Sequence, residues 1–273
     1  MPDALPPQTA PSPALDDRFP LLFARCLARA DVPAYLMWQL GGRTRTIDVR
    51  MGTRSVPGPH RPRFQLRPPS VGNNDVGVAY EVFVHRYLVP PFAIEPGAVR
   101  DIVDLGANVG LSSIWWLTVY PHAHVTAFEP HPVHAAQAHR NVGLNGFTSR
   151  FTLHEAGAGP RDASAWISDQ GTASTLSNRR DGFEAKIMDL FTWLSGRHHD
   201  ILKIDIEGSE TGLLADPRFD SLDVGALVME WHGVDDAGEG GRDWCVQRLE
   251  AFGYRIEITV DKGPFGMLWA RRS

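Results

Sequence analysis

Four polar side chains stand near the ends of two apolar runs, Asp205 and Glu207 in "LKIDIEGSE" and Glu230 and His232 in "VMEWHG". Side chains two apart on a strand share a face. The spacing therefore predicts Lys203, Asp205 and Glu207 aligned on one strand and Glu230 and His232 on another. Such a set can remove a proton from an acceptor group. His232 is the natural base at neutral pH, and Glu207 or Asp205 could serve if burial raises its pKa. The same set could bind a divalent cation through Asp205, Glu230 and His232 and acidify a bound hydroxyl. Ligand type alone does not fix a metal site, so the metal-free reading is the expectation. Glu207 and Glu210 could instead serve the positive end of the following helix, a reading favoured for Glu210.

A second feature must lie beside these groups. "VDLGANVG", Val103 to Gly110, runs an apolar strand into a glycine turn. Gly106 and Gly110 would let the backbone bend and approach a ligand that a Cβ would block, and the helix that follows aims its N-terminal N–H groups there. Asp104 ends the strand within reach of a ligand ammonium group or a backbone amide. The next strand ends at Glu129, 23 residues after Gly106, where a carboxylate can accept from both hydroxyls of a ribose. The dinucleotide fingerprint G-x-G-x-x-G is not met, because Asn108 and Leu111 occupy its second and third glycine positions. That reduces the room for a pyrophosphate and suits an amino acid joined to a nucleoside.

The elements that position these groups alternate from Val99 onward. "VRDIVDLGA", "HVTAFEP", "FTLHEAGAG", "DILKIDIEG" and "ALVMEWHG" read as strands, separated by helical runs such as "NVGLSSIWWLTVY" and "HPVHAAQAHRNVGLNG". Alternating strand and helix predicts a parallel doubly wound sheet, whose ligands bind beyond the carboxyl ends of the strands. "YRIEITV" and "FGMLWARR" are joined by a few residues including Gly263 and Pro264, so an antiparallel hairpin should close one edge. Upstream, "NNDVGVAYEVFVHRYLVPPF" reads as a helix with Asp75 near its start and Pro90 and Pro91 ending it, and "FPLLFARCLARA" as a short helix. Residues 43–69 carry seven arginines and five prolines. Short strands fit Thr46–Met51 and Arg63–Leu66, and the arginines could grip an acceptor anion or face water. Residues 1–18 read as a disordered leader, 19–72 as an N-terminal extension capping the acceptor site, and 73–273 as the main domain.

Smaller features are weighed the same way. Trp115 and Trp116 should be core. Glu81 and His85 share a helix face and read as a surface pair, with ligand or substrate contact as the alternative. His198 and His199 should be solvated, and the loop Gly171–Ser177 would offer hydroxyls at the cofactor edge.

Composition narrows the function classes. The 273 residues carry 27 basic and 32 acidic side chains, a net charge of −5, which gives no electrostatic case for nucleic acid. Two cysteines far apart in sequence, Cys26 and Cys245, exclude a disulfide framework and make a reducing, cytoplasmic setting the expectation. No secretory signal is recognisable, and no run reaches the roughly 18 apolar residues of a membrane span. A hydrophobic patch in the first 70 residues could support a homodimer.

Taken in order, "VDLGANVGLSS", "AFEPHP", "NVGLN", "LKIDIEGSE" and "VMEWHG" resemble the FkbM family of S-adenosylmethionine-dependent methyltransferases, from about Asn74 to the C-terminus. The resemblance implies a Rossmann-like class I fold with a mostly parallel seven-stranded sheet. It also implies O-methylation of a sugar, glycolipid or polyketide-type small molecule. It sets Asp104, Gly106, Ala107, Asn108, Gly110, Glu129, Pro130 and Asp205 against the cofactor, and leaves His232, Glu207, Asp205 and Glu230 for catalysis. The segment Asp75–Glu81–Phe83–Tyr87 resembles the family's lead-in helix, whereas the arginine-rich stretch matches nothing in it. Two other readings stay open, a nicotinamide-dependent oxidoreductase on a similar sheet and a non-catalytic nucleoside-binding module.

Overall fold

The computed structural model describes residues 19–40, 46–52, 60–68, 75–168, 176–177, 182–233 and 239–272. The expected leader at 1–18 and most of the loop Gly171–Ser177 lie outside them.

The chain opens with α1 (Phe19–Ala24), α2 (Val32–Leu40), and an antiparallel pair of strands, β1 (Ile47–Arg50) and β2 (Arg63–Leu66). The lead-in follows as α3 (Asp75–Tyr80), continued by a π-helical turn, Glu81–His85. This helix stops at Arg86, four residues before Pro90, because Arg86 takes a left-handed conformation (φ 56°). Then come β3 (Asp101–Leu105), α4 (Leu111–Val119), β4 (His124–Phe128), α5 (Pro132–Gly143) and β5 (Phe151–His154). A small second sheet interrupts the alternation with β6 (Gly157–Gly159), β7 (Ala163–Ser168), β8 (Leu176–Ser177) and β9 (Gly182–Asp189). The chain finishes with α6 (Leu190–Leu194), β10 (His199–Ile204), α7 (Glu210–Ala215), β11 (Val224–Trp231), α8 (Gly241–Ala251), β12 (Tyr254–Asp261) and β13 (Gly266–Arg272).

The main sheet has seven strands in the order β12-β13-β11-β10-β3-β4-β5, with β3, β4, β5, β10 and β11 parallel and β13 antiparallel to both of its neighbours. This is the expected doubly wound sheet with its closing hairpin. Strand order reverses at β3, whose neighbours β4 and β10 come from opposite directions along the chain, so the crevice opens beyond β3 and β10. Alternation divides the core in two. Ile102, Val125, Ile201, Val228 and Trp269 face one layer with α4 and the N-terminal elements. Val103, Phe128, Leu202, Met229 and Leu268 face the other with α6, α7 and α8. Trp115 and Trp116 are buried core, as expected.

One expectation changes here. The third apolar run, "FTLHEAGAG", splits between sheets: β5 joins the main one and β6 pairs with β9. The described part of the arginine-rich segment packs along α5: Gln65 and Arg63 bond through their backbone N–H groups to the side chains of Asn141 and Asn145, and Asn141 in turn donates to the Val109 carbonyl of the glycine turn. Arg50, Arg63 and Arg67 pair with Asp31, Asp48 and Asp75, so these guanidinium groups are engaged within the fold. The helix α2 has no acidic residue in its first turn and no basic one in its last, so it leaves no charge signal in the sequence.

Candidate active site

The glycine turn begins where β3 ends. Gly106 and Gly110 have φ of +77° and +82°, which glycine adopts without strain. What a Cβ would meet is protein, not ligand. At Gly106 it would stand 1.7 Å from the carbonyl oxygen of Asp205, and at Gly110 it would press on Ala138 of α5 at 3.0 Å. The glycines therefore let β10 and α5 close on the turn. The turn's amides are also engaged. Gly106 and Ala107 both donate to the Phe128 carbonyl at 3.0 Å, Asn108 to Glu129 Oε2 at 2.8 Å, and Gly110 to the Ala107 carbonyl at 2.8 Å.

Glu129 is buried at the carboxyl end of β4, followed by the half-buried Pro130. It accepts from the amides of Asn108 and His131 at 2.8 and 2.9 Å, with His134 Nδ1 3.7 Å away. An ionised carboxyl offers about four lone-pair sites, so two bonds leave capacity for further donors.

Asp104 stands elsewhere than expected. It is fully buried, accepts from the hydroxyls of Ser112 and Ser113 at 2.7 Å each, and lies 3.2 Å from Lys203 Nζ. Its carboxylate holds the first turn of α4 and the lysine, and does not line the opening. Lys203 sits opposite Asp104 in register and is itself buried. Its ammonium also pairs with Asp205 at 3.2 Å and donates to the carbonyls of Leu105 and Gly106. Burial opposes the charge, but the two aspartates outweigh it and hold the ammonium above its ordinary pKa.

The catalytic candidates gather at the ends of β10 and β11, by a different route from the one the spacing suggests. The strand β10 stops at Ile204, and Glu207 lies in a turn with φ 54°. A non-glycine residue in that region is uncommon; Arg86 and Asn108 are the other two among the described residues. Glu207 meets His232 across the turn, Oε2 to Nε2 at 3.6 Å, while Glu210 Oε2 is 3.3 Å from His232 Nδ1. Glu210 Oε1 also accepts from the amide of Ile206 at 2.8 Å, so it secures both the turn and the histidine. Desolvation would lower the His232 pKa, but Glu207 and Glu210 outweigh it and raise it to about 11. The two carboxylates therefore favour the imidazolium form, which has no free lone pair with which to act as a base.

Asp205 and Glu230 are neighbours close enough for each to shift the other's titration. Desolvation raises both, and Lys203 brings Asp205 below the ordinary carboxylate range, while the charge of Asp205 drives Glu230 well above it. The two carboxyl groups are thus pushed in opposite directions, Asp205 toward the charged form and Glu230 toward the neutral one. Among the described residues no group of three or more His, Cys, Asp or Glu side chains is arranged to hold a metal ion. Asp205, of the possible metal set Asp205, Glu230 and His232, is paired with Lys203 at 3.2 Å, and His232 lies between Glu207 and Glu210.

Tyr87, Glu81 and Lys262 come to the same edge, and of these the sequence raised only Glu81 as a possible ligand or substrate contact. The Tyr87 phenol is pushed well above its ordinary pKa, by burial first and then by Asp205, Glu81, Glu230 and Asp104. Glu81 pairs with Lys262 at 3.3 Å, so the expected Glu81–His85 pair is not the one formed. A usable signal was present: the chain has only three lysines among its 27 basic residues, and two, Lys203 and Lys262, come to this edge. His199 was expected in water and is buried on Asp101 at 2.9 Å, whereas His198 is exposed.

Residues 104–256 match the model of the methyltransferase FkbM domain. The chain belongs to this family. Among curated relatives, Methyltransferase 1 of Beauveria bassiana (strain ARSEF 2860) is 34% identical over 85 residues, 31% of this chain and 32% of the relative. Methyltransferase sdnD of Sordaria araneosa is 50% identical over 44 residues, 16% of this chain and 17% of that protein. The chain thus spans about a third or less of the length of these relatives. A crystal structure of methyltransferase FkbM from Methylobacillus flagellatus KT superposes with a TM-score of 0.47 at 16% identity, covering 93% of this chain and 58% of that one.

Proposed function

We propose that this chain transfers a methyl group from S-adenosylmethionine to a hydroxyl oxygen of a small-molecule acceptor of sugar, glycolipid or polyketide type. Family membership supports methyl transfer, and the choice of oxygen follows the family resemblance. The observation that carries the reading is the division of the carboxyl edge. On one side Glu129 keeps acceptor capacity over a turn whose amides are engaged. On the other stands a cluster of carboxyl groups. A dinucleotide site needs free amides for its pyrophosphate, which disfavours the nicotinamide reading. A nucleoside without phosphate and a positively charged centre both fit.

Glu129 would hold the ribose hydroxyls, and the net negative side formed by Asp205 and Glu207 would face the positive centre. When bound, S-adenosylmethionine supplies an electrophilic methyl group on a sulfonium. The protein must hold the acceptor in line with it, and positioning of this kind lowers a barrier by roughly 7–11 kcal/mol. Glu207 is the best-placed group to take the acceptor's proton. Asp205 is tied to Lys203 and Glu230, whereas the Glu207 side chain is 35% exposed. His232, protonated and anchored on Glu210, orients Glu207.

Calorimetric titration with S-adenosylhomocysteine and, separately, with NAD tests this. Micromolar binding of the first and none of the second is expected. Binding of NAD alone would overturn the reading.

A further inference from the structure

Between the lead-in helix and the C-terminal hairpin lies a group of side chains with no part in the chemistry above. Strand pairing fixes its place. Trp231, the last residue of β11, pairs with Gly266, so the hairpin turn Lys262–Phe265 stands beyond the carboxyl end of β11, next to His232. The π-helical turn comes down from the other side and presents Glu81. The two meet in the Glu81–Lys262 ion pair at 3.3 Å, across 181 positions of sequence. Lys262 Nζ also lies 5.0 Å from the centre of the Phe265 ring, which is 37% exposed.

The Glu81 side chain is 46% exposed. Yet enclosure by neighbouring groups is the main cause of a raised pKa, which Lys262 opposes and Asp205 and Glu207 increase. Glu81 thus stands within electrostatic reach of Asp205 and of the Glu207 that meets His232. A π-turn inside a helix frequently marks a functional position, and a compact ammonium appears here in a chain that elsewhere uses arginine almost throughout.

We propose that Glu81 and Lys262 are the acceptor-positioning pair and that Phe265 is its apolar wall. A carboxylate oxygen and an ammonium side by side offer one acceptor and one donor, the complement of two adjacent hydroxyls. An exposed aromatic ring beside them suits the C–H face of a ring that bears those hydroxyls. The acceptor is accordingly a neutral polyhydroxylated ring, held by the hydroxyls that are not methylated while another is presented to Glu207. This rests on the methyl-transfer reading of the site.

Saturation-transfer NMR with methyl α-D-mannopyranoside, methyl α-D-glucopyranoside and methyl α-L-rhamnopyranoside, on protein saturated with S-adenosylhomocysteine, tests the proposal. At least one glycoside should give a signal with the wild type and lose it, at least tenfold, in Glu81→Gln and Lys262→Met. Calorimetry should show S-adenosylhomocysteine affinity unchanged within twofold in both variants. The double variant Glu81→Lys with Lys262→Glu restores the ion pair but exchanges donor and acceptor, so it should recover thermal stability and not glycoside binding. Glycoside binding recovered by the double variant would make the pair a structural latch and overturn the proposal. So would binding unaffected in the single variants, or no signal from any glycoside. Failure of the wild type to bind S-adenosylhomocysteine would instead sink the methyl-transfer reading, and this pair's role with it.

Discussion

His232 shows how a side chain's role follows from its neighbours. Its two ring nitrogens face Glu207 and Glu210, so the residue that looks like a base is a cation at neutral pH. Its folded-state pKa of about 11 lies above the ordinary value. The stability it contributes is therefore fully present below about pH 6.5 and is lost as pH rises through about 11. Replacement by Ala should cost about 1–3 kcal/mol, and the difference in melting temperature from wild type should be largest near pH 6 and shrink toward pH 11. Nitrogen-15 shifts of the imidazole should report a doubly protonated ring at pH 8; a neutral ring there would remove the argument against His232 as base. Glu207→Gln should lower kcat by about 10²–10⁴ with S-adenosylhomocysteine affinity preserved, and an unchanged kcat would move the proton elsewhere. Glu129→Gln should act on the other side. Losing a charged acceptor costs about 1.5–3 kcal/mol, or roughly 10–10²-fold in S-adenosylhomocysteine affinity by calorimetry.

At the scale of elements, the glycine turn is a joint between β3, β10 and α5. Gly106→Ala would drive a Cβ into the Asp205 carbonyl at 1.7 Å from a positive φ, so urea unfolding should show a loss of about 4 kcal/mol or more. Gly143, the last residue of α5, has open space where a Cβ would go. Gly143→Ala should be neutral or stabilising by up to about 1 kcal/mol in the same measurement. The parallel strands were legible because their apolar runs end in glycine or acid at regular intervals. The lead-in helix was legible too, but its early stop at Arg86 was not, since a left-handed residue has no signature when it is not glycine or asparagine.

For the whole molecule, the decisive feature is a core that crosses sequence boundaries. Phe23, Tyr35 and Phe64 from the N-terminal elements share a buried cluster with Phe83, Trp115 and Trp269. Phe64 stacks on Phe83 at 5.3 Å, and Phe83 meets Trp115 edge-on at 6.1 Å. Removal of residues 1–68 should therefore yield insoluble or dye-binding protein; a soluble, cooperatively melting fragment would show that residues 73–273 form an independent domain. No helix among the described residues is long and apolar enough to cross a membrane.

The sequence by itself determined the alternation of strands and helices and the sheet's carboxyl edge. Apolar periodicity and turn residues are local properties, and they fix these things locally. Only the tertiary structure decided what state the acids at that edge are in. The Lys203 ammonium lies between Asp104 and Asp205 because β3 and β10 are paired in register. The charge on His232 comes from Glu210 on a helix and Glu207 in a turn. Protonation depends on charges and burial within a few ångströms, and those distances are set by packing between residues far apart in the chain.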